Sequence, residues 1–272
     1  MTRRLLVPTF LLLVTAGTLA AHDLFLRAES YFVPPDGTVR LQVLNGTFSK
    51  SENAVTKDRL RELSIVNAAG VATPLDATTA WAETGDTSIV TVRVGESGTY
   101  LIGASLRPRE IALKAKDFNT YLASDGLPDI LAARRKNGEL DRPARERYSK
   151  HVKALVQVGS ARTAGYSAEL GYPAELVALD NPYALRPGGV LRVRAVVEGS
   201  PVANQVVIAG GRASGGGRIA QRSVRTNSDG VARIRIASRG VWYVKFIHMQ
   251  RAAADTTIDY ESKWATLTFG VR

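Results

Sequence analysis

Short runs of alternating apolar and polar residues, each closed by turn residues, constrain this chain more than any other feature. Thr38-Val39-Arg40-Leu41-Gln42-Val43 alternates with period two behind the turn signal Asp36-Gly37. Leu63 to Val66, Ser88 to Val94 and Gly98 to Gly103 continue the pattern, broken by Ala69-Gly70 and Gly95-Glu96-Ser97-Gly98. Strands return from about Ala168, in Leu176 to Leu179, Val190 to Val197, Gln205 to Ala209 and Val231 to Ile236. Asn181-Pro182, Pro187-Gly188-Gly189, Glu198-Gly199-Ser200-Pro201 and Asn227-Ser228-Asp229-Gly230 punctuate them. Two final strands, Val241 to Met249 and Asp259 to Val271, flank a polar loop. The expected fold class is mainly β, with two β-sandwich domains of immunoglobulin or transthyretin-like kind.

Between these halves the texture changes at Pro108. Ala115 to Leu122 and Pro128 to Lys136 carry helix formers, and Tyr148, Val152 and Leu155 recur at helical spacing. Asp141 as a cap, Pro143 in a first turn and Gly159 as a terminator predict a helix over Pro143–Gln157. The expected organisation is a signal peptide at 1–21, a sandwich at 22–107, a helical insertion at 108–160 and a second sandwich at 161–272.

The signal reading rests on Arg3-Arg4, the apolar run Leu5 to Val14 and the small-residue exit Thr18-Leu19-Ala20-Ala21. The run is too short to span a bilayer, so the expected location is periplasmic or otherwise exported. Loss of Arg3 and Arg4 leaves 34 basic against 25 acidic residues, a net charge of +9. Many basic residues lie between Arg107 and Lys153. Few aromatic residues are interleaved with them, and an exported chain is in the wrong compartment for nucleic acid. A solvated helical face, or contact with an anionic envelope surface, accounts for the charge. Cysteine is absent. Disulfides and thiolate chemistry are therefore excluded, and any soft-metal site must use His, Met, carboxylate or amine donors.

The chemistry-bearing residues are few. No Gly-x-Ser-x-Gly elbow is present, and three histidines are the whole supply of imidazole. The expectation is therefore a protein that is not an enzyme, with no catalytic residues. The glycine-rich run Ser214 to Gly217 has no following helix and reads as a hairpin loop. His151, off the apolar stripe of the predicted helix, reads as a surface residue. His22 stands directly after the signal. A cut after Ala21 makes it the first residue, with amine and ring able to chelate one metal ion; a cut after Ala20 makes it the second, and one after Leu19 the third. His248 shares a strand face with Trp242, Val244 and Phe246, and Glu261 shares one with Lys263, Ala265, Leu267 and Phe269. His248 by itself reads as a buried histidine satisfied by a hydrogen bond; with Glu261 it reads as a ligand pair, as a histidine held in one tautomer by a carboxylate, or equally as a structural ion pair.

Several stretches carry a family resemblance. They are Ala21-His22-Asp23-Leu24-Phe25-Leu26, Gly98-Thr99-Tyr100, Phe118 to Leu122, Tyr148-Ser149-Lys150 and Lys153 to Gly159. Further along come Asn181-Pro182-Tyr183, Thr226 to Gly230, Gly240-Val241-Trp242, Ile247-His248-Met249 and Tyr260 to Phe269. In their order these resemble the exported proteins of domain of unknown function 4198, which include the periplasmic accessory component of energy-coupling-factor nickel and cobalt transporters. The resemblance implies an envelope protein of two β-rich parts that delivers or senses a transition metal, with a membrane transporter component as partner. The expected metal residues are His22, His248 and Glu261, and the expected ion is nickel or cobalt, with copper and zinc open to imidazole donors. The alternative is an envelope scaffold or adhesion module without metal. A third reading is a copper enzyme whose N-terminal His and second His form a three-nitrogen brace.

Overall fold

The computed structural model describes residues 22–253 and 255–272; the signal-peptide reading of 1–21 lies outside the described residues. In chain order the first half holds β1 (Asp23–Ala28), β2 (Phe32–Val33), β3 (Thr38–Gly46), β4 (Leu60–Val66), β5 (Ala72–Pro74), α1 (Ala77–Ala80), β6 (Trp81–Thr84), β7 (Thr87–Arg93) and β8 (Gly98–Leu106). The middle holds β9 (Arg109–Leu113), α2 (Ala115–Ser124), α3 (Pro128–Lys136) and β10 (Ala144–Val158). The remainder holds β11 (Ala174–Ala178), β12 (Val190–Val197), β13 (Ser200–Pro201), β14 (Val206–Ala213), β15 (Arg218–Arg225), β16 (Val231–Arg235), β17 (Gly240–Arg251) and β18 (Tyr260–Val271). The protein is mainly β, as its period-two runs require.

Three sheets form. The central one has ten strands, ordered β15-β14-β17-β18-β10-β8-β4-β5, with β2 and β9 also pairing to β10. One four-stranded sheet, β1-β3-β7-β6, covers one of its faces: Thr266 Oγ1 donates to the Leu24 carbonyl at 3.0 Å and Thr268 Oγ1 to that of Leu26. The other, in which β12 pairs with β11, β13 and β16, lies on the opposite face, where Lys153 of β10 meets Glu175 of β11. A single apolar core runs through all three layers, from Leu41 and Val90 through Leu101, Leu155 and Leu267 to Leu176 and Ile234. A second cluster seats α2 on the sheet through Phe118, Tyr121, Leu122, Ile247, Tyr260 and Trp264.

Covering both faces explains why the middle strands do not alternate. All nine residues of β8 are buried, as are Ser149 to Val158 of β10, because a strand with two covered faces has no solvent side. This corrects the helix expected over Pro143–Gln157. That stretch is strand β10, parallel to β18 from Glu146↔Tyr260 to Ala154↔Thr268. Within 108–160 the helices are α2 and α3 alone. The helical spacing of Tyr148, Val152 and Leu155 arose because apolar residues fall at both parities of a doubly buried strand. Two further expectations fall with it. His151 is 1 % exposed rather than on the surface, and Lys150 and Lys153 are buried rather than part of a solvated face.

Candidate functional site

His22 immediately precedes β1, whose Leu24 to Leu26 are buried under the central sheet. Three contacts fix this entry point. The His22 carbonyl accepts from Lys150 Nζ. The Asp23 carboxylate accepts from Lys245 Nζ at 2.7 and 2.6 Å, and the same ammonium donates to Asp125 Oδ1 at 2.9 Å, where α2 ends. Lys150 lies 5.3 Å from the centroid of the Tyr148 ring and 5.0 Å from that of Trp264. Burial pushes Lys150 down to about 8, against the opposing pull of Asp23. Lys245 is shifted the other way: burial works against its charge, but Asp23 and Asp125 outweigh that and hold the ammonium.

Beyond this pair the polar network continues inward. Glu146 Oε1 accepts from Tyr121 Oη at 3.1 Å and from Ser262 Oγ, which itself accepts from Trp264 Nε1 at 2.9 Å. Glu146 Oε2 has no hydrogen-bond partner among the described residues, and burial raises the carboxyl's pKa.

The His22 ring stands at the rim of this network. Its Nε2 lies 3.3 Å from Glu52 Oε2, and the two side chains are 22 % and 46 % exposed, so both are open to solvent. A carboxylate beside Nε2 draws the ring proton to that atom. The lone pair is then left on Nδ1, the nitrogen nearer the main chain. An imidazole nitrogen with a carboxylate behind its ring suits borderline divalent ions.

His248 does not join this site. It lies three residues from Lys245 in an unbroken ladder, so it points to the opposite face of the sheet from the Lys245–Asp23 contact. There its Nδ1 is 3.1 Å from Gln205 Oε1, its cross-strand neighbour is Lys263, and burial followed by the Lys263 charge lowers its pKa. Glu261 shares that face but pairs with Arg147, at 3.6 Å, and stands opposite Gln250 rather than His248. The expected trio of His22, His248 and Glu261 is thus divided between two faces of one sheet, and a two-histidine copper brace fails with it. Among the described residues no three His, Asp or Glu side chains gather in a metal-holding group. Glu52, Lys245 and Asp125 carry no site reading in the sequence, and Lys150 enters it only in the basic stretch and in Tyr148-Ser149-Lys150. An ammonium in the middle of Trp242 to Met249 is the one signal that could have marked Lys245.

A sequence profile described as domain of unknown function (DUF4198) matches residues 19–250. No curated protein sequence matches the chain. Among solved structures it is similar to the crystal structure of a tetra-tandem repeat in the extending region of a large adhesion protein, at 12% identity and a TM-score of 0.24. The alignment covers 92% of this chain and 49% of that one, so the chain spans about half its length. No described helix is long and apolar enough to cross a membrane.

Proposed function

The chain belongs to the DUF4198 family, and we propose that this member is an exported, non-catalytic metal-binding protein whose metal-holding residue is His22. Export processing after Ala21 frees the His22 α-amine beside Nδ1, and the two nitrogens chelate one divalent transition ion, nickel or cobalt in the first place and copper or zinc by the same chemistry. Glu52 orients the ring and strengthens Nδ1 as a donor. The observation that carries this reading is the 3.3 Å approach of Glu52 to Nε2 at a rim position whose backbone is anchored by Lys150. A chelate from one residue leaves the ion exchangeable, which suits hand-off to a membrane transporter component better than retention for catalysis. The two halves, read as sandwiches that share the central sheet, supply the rigid body that presents it.

The test begins with mass-spectrometric mapping of the mature N-terminus after export. Nickel, cobalt, copper(II) and zinc are then titrated into the mature chain, into a form with one extra alanine before His22, and into Glu52→Gln. The extra residue keeps the ring but moves the amine, so affinity should fall by at least about tenfold. Glu52→Gln should cost about 10–100-fold. Binding should weaken below about pH 8, where protons compete for an α-amine. A terminus elsewhere than His22, or equal affinities in the mature and extended forms, overturns the reading.

A second reading, an envelope scaffold or adhesion module without metal, is favoured by one observation. His248 and Glu261 are both held by structural partners, Gln205 and Arg147.

A further inference from the structure

From Gly199 to Ala254 the chain carries nine basic residues and one acid, Asp229. The fold brings one of those arginines, Arg212 of β14, to a cleft of about 550 Å³ that it shares with Arg27 of β1 and Arg272 after β18. We propose that this cleft binds a small organic oxyanion, a carboxylate or phosphate carried on an apolar body.

Each guanidinium is held by neutral groups. Arg27 Nη1 donates to the Phe48 carbonyl at 3.0 Å and Nη2 to Gln42 Oε1 at 2.6 Å, which leaves donors unused on a five-donor fork. Arg212 donates to Ser49 Oγ at 3.0 Å and to the Gly216 carbonyl at 2.8 Å. The Arg272 guanidinium sits 3.7 Å over the centroid of the Phe32 ring. Among the described residues none of the three forms an ion pair. Glu29 also lines the cleft but stands 3.4 Å from Arg40.

Three arginines therefore stand against one carboxylate in the lining, Glu29, and none of the three is paired with it. Arg212 faces Arg218 directly across the β14–β15 pair, an arrangement that costs stability. Burial, with the Arg212 charge in support, lowers the pKa of Arg27. Fixed forks with spare donors match the paired oxygens of a carboxylate or phosphate. Phe32, Phe48 and Val241 supply apolar lining, and the volume lies within the usual range of small-ligand sites. The site is distinct from His22, which does not line it, and its excess of guanidinium groups suits an anion.

Benzoate, phenyl phosphate, acetate and inorganic phosphate, titrated into the mature protein at fixed ionic strength, test this. Benzoate or phenyl phosphate should bind saturably at one site, and more tightly than the matching small ion. Arg212→Gln and Arg272→Gln should each weaken binding by at least about tenfold, the loss of a charge-assisted contact. Arg192→Gln, which removes an exposed arginine paired with Asp180 away from the cleft, should leave it unchanged. Non-saturating uptake, or an equal loss in Arg192→Gln, means diffuse charge attraction and overturns the proposal. Equal affinity for phenyl phosphate and inorganic phosphate overturns the apolar part of the ligand class.

Discussion

Acid should weaken this protein most through His151, a buried histidine away from the proposed metal site, with His248 acting in the same direction. His151 sits in the middle of β10, with Nδ1 2.9 Å from Ser105 Oγ and Nε2 3.0 Å from Ser149 Oγ. Two hydroxyls satisfy a neutral imidazole, one as donor and one as acceptor, and offer no charge to balance an imidazolium. Burial, then the charges of Arg61 and Lys263, push its pKa down to about 3. The unfolded chain takes up this proton near pH 6.5 and the folded chain does not. The stability tied to a neutral ring is therefore complete above pH 6.5 and is lost as pH falls, until the folded ring titrates near pH 3. Each pH unit in that window costs about 1.4 kcal/mol, so pH 5.0 removes about 2 kcal/mol, a large part of a typical folding margin. Urea unfolding of the wild type and His151→Leu, followed by tryptophan fluorescence at pH 7.5 and 5.0, measures it. Glu146 makes the variant comparison necessary. Burial raises its pKa, so its contribution is present at low pH and lost as pH rises, opposite in sign. His151→Leu should be less stable at pH 7.5, because two serine hydroxyls lose their partner. It should nevertheless lose about 2 kcal/mol less than wild type on acidification. Parallel pH profiles for the two proteins would refute the buried, neutral assignment.

Three further outcomes follow from buried contacts. Lys153→Met leaves Glu175 buried and unpaired and should cost about 3–5 kcal/mol in urea unfolding. Lys153→Met with Glu175→Gln should recover most of that, because Gln still accepts one of the backbone N–H bonds that Glu175 takes from Leu170 and Tyr172. Additivity of the two substitutions within about 0.5 kcal/mol would show no coupling. Gly240→Ala puts a Cβ 2.2 Å from the Arg212 carbonyl at φ +140°, and should cost more than about 2 kcal/mol by the same assay.

Legibility in the sequence followed exposure. β3, β12 and β16 have a face or an edge in water, and their alternation placed them correctly. The faces of β17 and β18 were equally legible, since parity alone puts His248 with Phe246 and Glu261 with Leu267. β10 was not legible. Its Glu146, Lys150, His151 and Lys153 look like the polar side of a helix until their partners are known. Those partners are Tyr121, the His22 carbonyl, Ser105 and Glu175, between 22 and 128 residues away in the chain. The division of His22 from His248 was hidden for the same reason. It depends on which face of the central sheet receives β1, and that is decided by long-range contacts such as Asp23–Lys245 and Thr266–Leu24.

These buried charges do for the layers what disulfides cannot do in a chain without cysteine. Lys153–Glu175 joins the central sheet to β11, Lys245–Asp23 joins it to β1, and Glu146–Tyr121 joins it to α2. Such contacts add little net stability over apolar packing. Their effect lies in register: a one-residue slip of β10 would turn Lys153 away from Glu175 and Lys150 away from the His22 carbonyl, leaving both ammonium groups buried without partners. An apolar core shared by three sheets tolerates many slips, and unpaired buried charges do not. The position of His22 follows from the same constraint, because the Lys150 and Asp23 contacts locate the start of β1 against the sheet. Lys150→Met should therefore leave the fold in place, since Met keeps the apolar stem and the carbonyl it releases is only partly buried. Its expected effect is to loosen His22 relative to Glu52, so that metal affinity falls while the unfolding midpoint barely moves.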